Sequence, residues 1–434
     1  MAFPFAKGTL FDWGSFVVKQ VRLGCGNGES WWGGVDLGCI QLFNSYFLPT
    51  MFNFDEIIER RTTRSIKWGL FAPDVLPMWV ADMDFRVPAA IETALQERVS
   101  HGIFGYDFLF ADLQERVCER MARLYQWKIT PADVVLIPGL VVGFNVAARA
   151  VCQAGDGVLV QPPVYHPMLH VAGNQQLENH FAPLQKTQTG RILHYQVDLP
   201  AFAQAIRPNT RLFLLCHPHN PVGRIWNQSE LHGMAEYCIQ NNVIICSDEI
   251  HSELLLDGHT HTPLAALAPE IADQTITLIA PSKTFNIPGL DCGFAIIQNP
   301  TLRKRYEQAM AGLVPHVVGM GLTAGYAAFG TETDAWLKAL LAYLSENARV
   351  VREFVEQRLP KANYTIPEAT YLAWLDLSGY ALDMPAAKFL LEKAKVGLND
   401  GAMFGLGGEG FVRLNFGCPR AVLLEGLERI ANAL

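Results

Sequence analysis

Residues 275–290 read TITLIAPSKTFNIPGL. The first six are apolar or β-branched and carry no charge, the composition of a strand covered on both faces. Lys283 follows directly, after Pro281 and Ser282, and the segment then breaks at Pro288–Gly289. Lysines prefer water, so one at the mouth of a buried strand needs a chemical reason. An amine partly removed from water loses stability as an ammonium and becomes available as a nucleophile.

Working outward, the same kind of run recurs at DVVLI (133–137), GVLV (157–160), RLFLLC (211–216), NVIICS (242–247) and CGFAII (292–297). Helix-like segments at 88–101, 112–125 and 229–241 alternate with them. Short unbroken apolar strands between helices predict a mostly parallel sheet with helices on both faces, a doubly wound α/β domain. The tail differs: a charged amphipathic helix over 335–359 precedes strand candidates YLAWLDL (371–377), VGLND (396–400) and GFVRLNF (410–416). The expected organisation is a large domain over 96–334 and a smaller α+β domain from 51–95 and 335–434. Residues 1–50 stand apart, rich in Gly, Trp and Cys without a helical or strand period, and read as an appended leader.

Among the 434 residues the net charge is -8, with no basic block, which argues against nucleic acid or an anionic membrane as partner. Nine cysteines without a C-x-x-C pair suggest reduced thiols and a cytoplasmic home. The charge-free stretch at 311–330 is glycine-rich and interrupted by Pro315 and His316, so it reads as a buried helix with its lead-in, not a membrane span. The pairs His217/His219 and His259/His261 lack a nearby acidic or cysteine ligand at suitable spacing, so no metal site is expected. The glycine-rich 405–410, GLGGEG, precedes a strand and reads as a gate, not a phosphate loop.

Ligands of a doubly wound sheet sit at the carboxyl ends of its strands. After 133–137 comes PGLVVG, a tight turn opening a helix whose first N–H groups, near Leu140 and Val141, form an anion site. After 157–160 come Tyr165 and His166 between prolines; after 211–216, Asn220 before a proline; after 242–247, Asp248; after 275–280, Lys283. Each has a plainer reading taken singly: Asp248 as a helix cap, Lys283 as a solvated loop residue, Tyr165 as core. Together an anion site, an aromatic plate, an amide, a carboxylate and an amine fit one ligand, a phosphorylated aromatic aldehyde with a basic ring nitrogen. That ligand is pyridoxal 5'-phosphate.

The set PGLVV, PPVYHP, NPVGR, SDEIH, SKTFNIPGL and GFVRLNFGCP resembles the fold-type I pyridoxal-phosphate enzymes of the class I/II aminotransferase superfamily. LPMWVADMDFRVP, HGIFGY, DEIH and TYLAWLDL resemble, more narrowly, its MalY/PatB branch of cystathionine β-lyases or C–S lyases. The resemblance runs from about residue 51 to the end and implies the fold-type I architecture, a large domain on a seven-stranded sheet plus a smaller domain.

It also implies roles. Lys283 carries the cofactor and moves the Cα proton; Asp248 pairs with the ring nitrogen, Asn220 with the phenolic oxygen, and Tyr165 stacks on the ring. Ser282 and the backbone near Leu140 and Val141 hold the phosphate, with Tyr106 reaching the phosphate of a neighbouring subunit in a homodimer. Arg413 grips the substrate carboxylate, with Asn220 beside it. His251, also at the cofactor, stands where aminotransferases usually carry tyrosine, a departure usual in the C–S lyase branch. Asp291 stands where many carry a phosphate-binding arginine, which weakens that anchor. The implied reaction is α,β-elimination from cystathionine or a cysteine S-conjugate to pyruvate, ammonia and a thiol. The rivals are an aminotransferase sharing every named residue, and a regulatory protein binding a transcription activator.

Overall fold

The structure is a computed structural model that describes residues 52–107 and 111–434. The leader expected over residues 1–50 lies outside the described residues. In chain order the strands are β1 (Leu76–Pro77), β2 (Val134–Ile137), β3 (Gly157–Val160), β4 (Glu178–Phe181), β5 (Gln185–Thr189), β6 (Ile192–Gln196), β7 (Thr210–Cys216) and β8 (Ile244–Asp248). They continue with β9 (Thr275–Ile279), β10 (Gly293–Ile296), β11 (Asn363–Tyr364), β12 (Leu372–Asp376), β13 (Val396–Gly397), β14 (Asn399–Asp400) and β15 (Phe411–Asn415). The longer helices are α1 (Ala89–His101), α2 (Ala111–Tyr125), α3 (Leu140–Val151), α4 (His166–Gln175), α5 (Gln228–Gln240), α6 (Pro300–Met310), α7 (Gly319–Ala328), α8 (Asp334–Arg358) and α9 (Arg420–Ala433).

The main sheet has seven strands in the order β2-β10-β9-β8-β7-β3-β4. Only β10 runs against its neighbours, so β2, β3, β7, β8 and β9 all end at one edge. The period of two within each strand divides the interior. Val158, Val160, Leu212 and Leu214 face a core shared with Phe144 and Ala147 of α3. Leu159, Phe213 and Leu215 face another, shared with Leu231, Met234 and Cys238 of α5. That double cover is why Val158–Val160 and Leu212–Leu215 are apolar at every position.

The second sheet has the order β14-β15-β12-β11-β6-β5. Its β5–β6 hairpin lies inside 96–334, the stretch the sequence assigns wholly to the large domain, yet pairs through Ile192 with Tyr364 of β11. The hairpin is invisible to an apolar-run search because β5, QKTQT, is exposed throughout. Over 311–330 the helix is α7 alone, with an irregular lead-in. Among the described residues no helix is long and apolar enough to cross a membrane. GLGGEG forms a compact turn: Gly405, Gly407 and Gly410 take left-handed φ of 86°, 83° and 80°, and a Cβ on Gly408 would lie 2.0 Å from the Gly401 carbonyl oxygen.

Candidate active site

The sheet register brings the strand-end residues together. Asp248 ends β8, opposite Cys216 of β7 and Leu278 of β9. Asn220 lies four residues beyond β7 and Lys283 four beyond β9, each carried inward by its turn. Tyr165 is the residue before α4, and Leu140 opens α3. The first N–H groups of an α-helix have no partner within it, and Val141 beside them is open to solvent. Ser282 sits one residue before Lys283 in the short helix Pro281–Thr284. Arg413 comes from the centre of β15 in the second sheet, paired with Trp374 and Asn399.

Arg413 is 3% exposed. Its Nη1 donates to Asn220 Oδ1 at 2.9 Å, and its Nη2 to Asn399 Oδ1 at 2.7 Å and the Trp79 carbonyl at 3.3 Å. The guanidinium lies 4.9 Å from the centre of the Phe404 ring. Its Nε has no partner. Burial pushes Arg413 down to about 10, opposed by Tyr165 and Tyr371, which leaves it cationic at neutral pH. The Lys283 Nζ donates to the Ala81 carbonyl at 2.7 Å, and that oxygen also accepts from the Tyr371 hydroxyl at 2.9 Å. Burial pushes the amine down to about 8, with Asp82 and Asp248 opposing and Arg413 reinforcing.

Asp248 is buried, and its carboxylate accepts from the Ile250 N–H at 3.2 Å. Burial pushes it up to about 7, reinforced by Glu249 and opposed by that N–H and by Lys283. His251 is buried with an unpartnered Nδ1, held down to about 3 by burial first, then by Lys283 and Arg413. Asp248 influences Tyr165, which Arg413 also reaches, so these side chains share one electrostatic neighbourhood. Tyr106 is not part of it: the residue is fully exposed after α1. Asp291 is exposed as well. The expected histidine pairs point elsewhere. His217 and His219 hydrogen-bond the carbonyls of Thr262 and Pro163, and His261 bonds Glu249.

Among the described residues, a buried carboxylate with no cation against it, a lysine amine with no acid bonded to it, and unpartnered ring and guanidinium nitrogens form an unbalanced set. A phosphorylated pyridine aldehyde balances it: a ring nitrogen for Asp248, an aldehyde for Lys283, an aromatic face for Tyr165 and a phosphate for the α3 N-terminus. A cleft of about 300 Å³ between α8 and the 364–367 turn shares no residue with this cluster.

Residues the sequence reading passed over complete the site. The segment WVADMDF, quoted only as a family marker, supplies the Trp79 and Ala81 carbonyls. Tyr371 and Asn399, inside strand motifs, hold Ala81 and Arg413. A carbonyl leaves no trace in the side-chain alphabet, so only Asn399 carried a signal, a polar residue within an otherwise buried strand pair.

Fold and site together define a doubly wound α/β protein with polar and charged side chains gathered at its strand ends. The sequence matches aminotransferase class I and II over residues 74–430, and the chain belongs to that family. The chain is similar to cystathionine beta-lyase PatB of Bacillus subtilis, 41% identical over 396 residues, covering 88% of this chain and all of that protein. Among solved structures it resembles cystalysin from Treponema denticola, which contains a pyridoxal 5'-phosphate cofactor, at a TM-score of 0.84 and 31% identity, covering 88% and 98% of the two chains. It likewise resembles the PLP-bound C–S lyase from Staphylococcus hominis, at 0.83 and 32%, covering 89% and 99%.

Proposed function

We propose that this chain is a pyridoxal 5'-phosphate-dependent C–S lyase of the cystathionine β-lyase type, a cytoplasmic homodimer acting on a small amino-acid substrate. The observation that carries the reading is the pair Lys283 and Asp248, an amine and a buried carboxyl at neighbouring strand ends with no ionic partner among the described residues. The lyase relatives support the choice of reaction.

When bound, the cofactor supplies an electron sink for the substrate's α-carbon. The chain supplies the rest. Asp248 holds a proton at the ring nitrogen, and Tyr165 covers a ring face. Asn220 hydrogen-bonds the phenolic oxygen, with His251 beside the ring. Ser282 and the N–H groups at Leu140 and Val141 take the phosphate, joined by Tyr106 from the neighbouring subunit. Arg413 binds the substrate carboxylate in a charge-assisted pair strengthened by exclusion of water. Lys283, as a free amine, takes the Cα proton, and the β-carbon–sulfur bond breaks with the electron pair leaving on sulfur. General-base assistance of this kind contributes roughly a hundred- to ten-thousand-fold. Water completes the conversion to pyruvate and ammonia.

Purified protein should be yellow with bound cofactor and should release pyruvate from cystathionine with no keto acid added. Lys283→Ala should lose both the visible band and turnover. An absolute requirement for a keto-acid acceptor would make the protein an aminotransferase instead.

A further inference from the structure

The segment Trp79–Phe85 belongs to neither sheet, yet side chains capture its backbone almost residue by residue. Asn415 Nδ2 donates to the Val80 and Asp82 carbonyls, each at 2.7 Å. Asn286, in the turn just after Lys283, receives the Met83 N–H at 2.8 Å and donates to the Met83 and Phe85 carbonyls, each at 2.9 Å. Ala81, between the Val80 and Asp82 anchors, and Trp79, just before them, present the carbonyls that meet Lys283 and Arg413. Backbone without ladder partners must find others when buried. Here those others include the two side chains on which turnover depends.

One anchor is far stronger than packing requires. Lys67, in the short helix Ile66–Gly69, is 1% exposed, and its ammonium donates to Asp84 Oδ2 at 2.7 Å and to the Asp82 carbonyl at 3.1 Å. Asp84 Oδ1 accepts from Arg60 at 2.5 Å and from the Trp68 indole at 2.8 Å. A second arm of Arg60 takes Asp82 at 2.8 Å. Taking such charges from water costs several kcal/mol per ion, and well-packed apolar residues often serve stability as well. What an ion pair with fixed partners adds is geometry.

We propose that Lys67, Asp84, Arg60 and Trp68 are positioning residues, which fix the Trp79–Phe85 strap so that its Ala81 and Trp79 carbonyls hold Lys283 and Arg413 in register. Among the described residues, none of the four hydrogen-bonds Lys283 or Arg413 directly. The proposal rests on the function given above, in that Lys283 and Arg413 are the groups whose placement matters. Loosening the strap leaves Arg413 less well aimed and readmits water over Lys283. Because burial is the main influence holding that amine down, its titration then moves up.

The test uses Lys67→Met, Asp84→Asn and the mildest change, Trp68→Phe, which deletes one donor and no charge. In holoenzyme, KM for cystathionine should rise about tenfold in Lys67→Met with kcat changed less than about threefold, the pattern of lost binding geometry. In the full chain stripped of cofactor, the pH midpoint for reductive methylation of Lys283, read by peptide mass spectrometry, should rise from near 8 toward the ordinary lysine value. Trp68→Phe should move both in the same direction by less. If the folded variants keep the wild-type midpoint and KM and only melt earlier, the anchor is structural and the proposal is overturned. The labelling arm needs no turnover: a colourless, inactive wild type would overturn the lyase reading while the midpoint still decides the strap.

Discussion

Asp248 is an acid sealed at a strand end, and without its ligand it is a burden on the fold. Its folded value is raised from 3.8 to about 7. Between those values the folded protein keeps a proton that the unfolded chain has released, so the folded state binds more protons and stability falls as pH rises. Lys283 runs the other way in its own window: lowered from 10.5 to about 8, it makes stability rise with pH between those values. Asp248→Asn should therefore stabilise the cofactor-free protein above pH 7 by roughly 1–3 kcal/mol, because it removes the ionisation of an unsatisfied buried group, with little gain near pH 4 and a correspondingly higher melting temperature. The same variant should lose most lyase activity. Calorimetry of the stripped protein at the two pH values checks the stability claim, and an unchanged melt at pH 8 would defeat it.

At the scale of elements, α7 presses on the turn that follows the reactive lysine. A Cβ at Gly321 would sit 2.2 Å from the Leu290 carbonyl oxygen, a backbone atom that cannot swing aside. Gly321→Ala should destabilise the fold by about 1–3 kcal/mol through overpacking, and should weaken cofactor retention because Pro288–Leu290 follows the Lys283-bearing helix Pro281–Thr284 after only three residues. Chemical denaturation of the holoenzyme, followed by loss of visible absorbance, measures both. Phe144 of α3 is fully buried against the main sheet. Phe144→Ala should cost about 3–5 kcal/mol, visible in the same experiment as a lower midpoint with an unchanged slope.

At the scale of the whole molecule, the expected homodimer gives Tyr106 its meaning. This residue is fully exposed, with Ile103 and Phe104 also exposed beside it, while Arg98 ties the segment to α1 through the Ile103 carbonyl, the Phe104 ring and Asp107. If Tyr106 serves a neighbouring subunit, Tyr106→Ala and Lys283→Ala chains, each inactive or nearly so, should regain activity when mixed and reassembled. Each hybrid dimer then has one intact site, and random pairing gives about a quarter of wild-type activity. Absence of any recovery would show that Tyr106 does not serve a neighbouring subunit's site.

The α/β order was legible because strands buried on both faces are built from uncharged apolar or β-branched residues, and TITLI and GVLV are. The strand-end residues were legible because polar side chains interrupt apolar runs at the edge where ligands bind. The β5–β6 hairpin was not, since an exposed strand such as QKTQT has no pattern of burial to display. Nor was the strap, because its work is done by carbonyl oxygens, which every residue carries. Side-chain chemistry is written in the sequence, and it determined the sheet and singled out Lys283 and Asp248 as candidates at its strand ends. Where main-chain oxygens end up, and which distant segments hold them, depends on contacts between residues some two hundred positions apart, as between Lys283 and Ala81, and only the folded chain decides that.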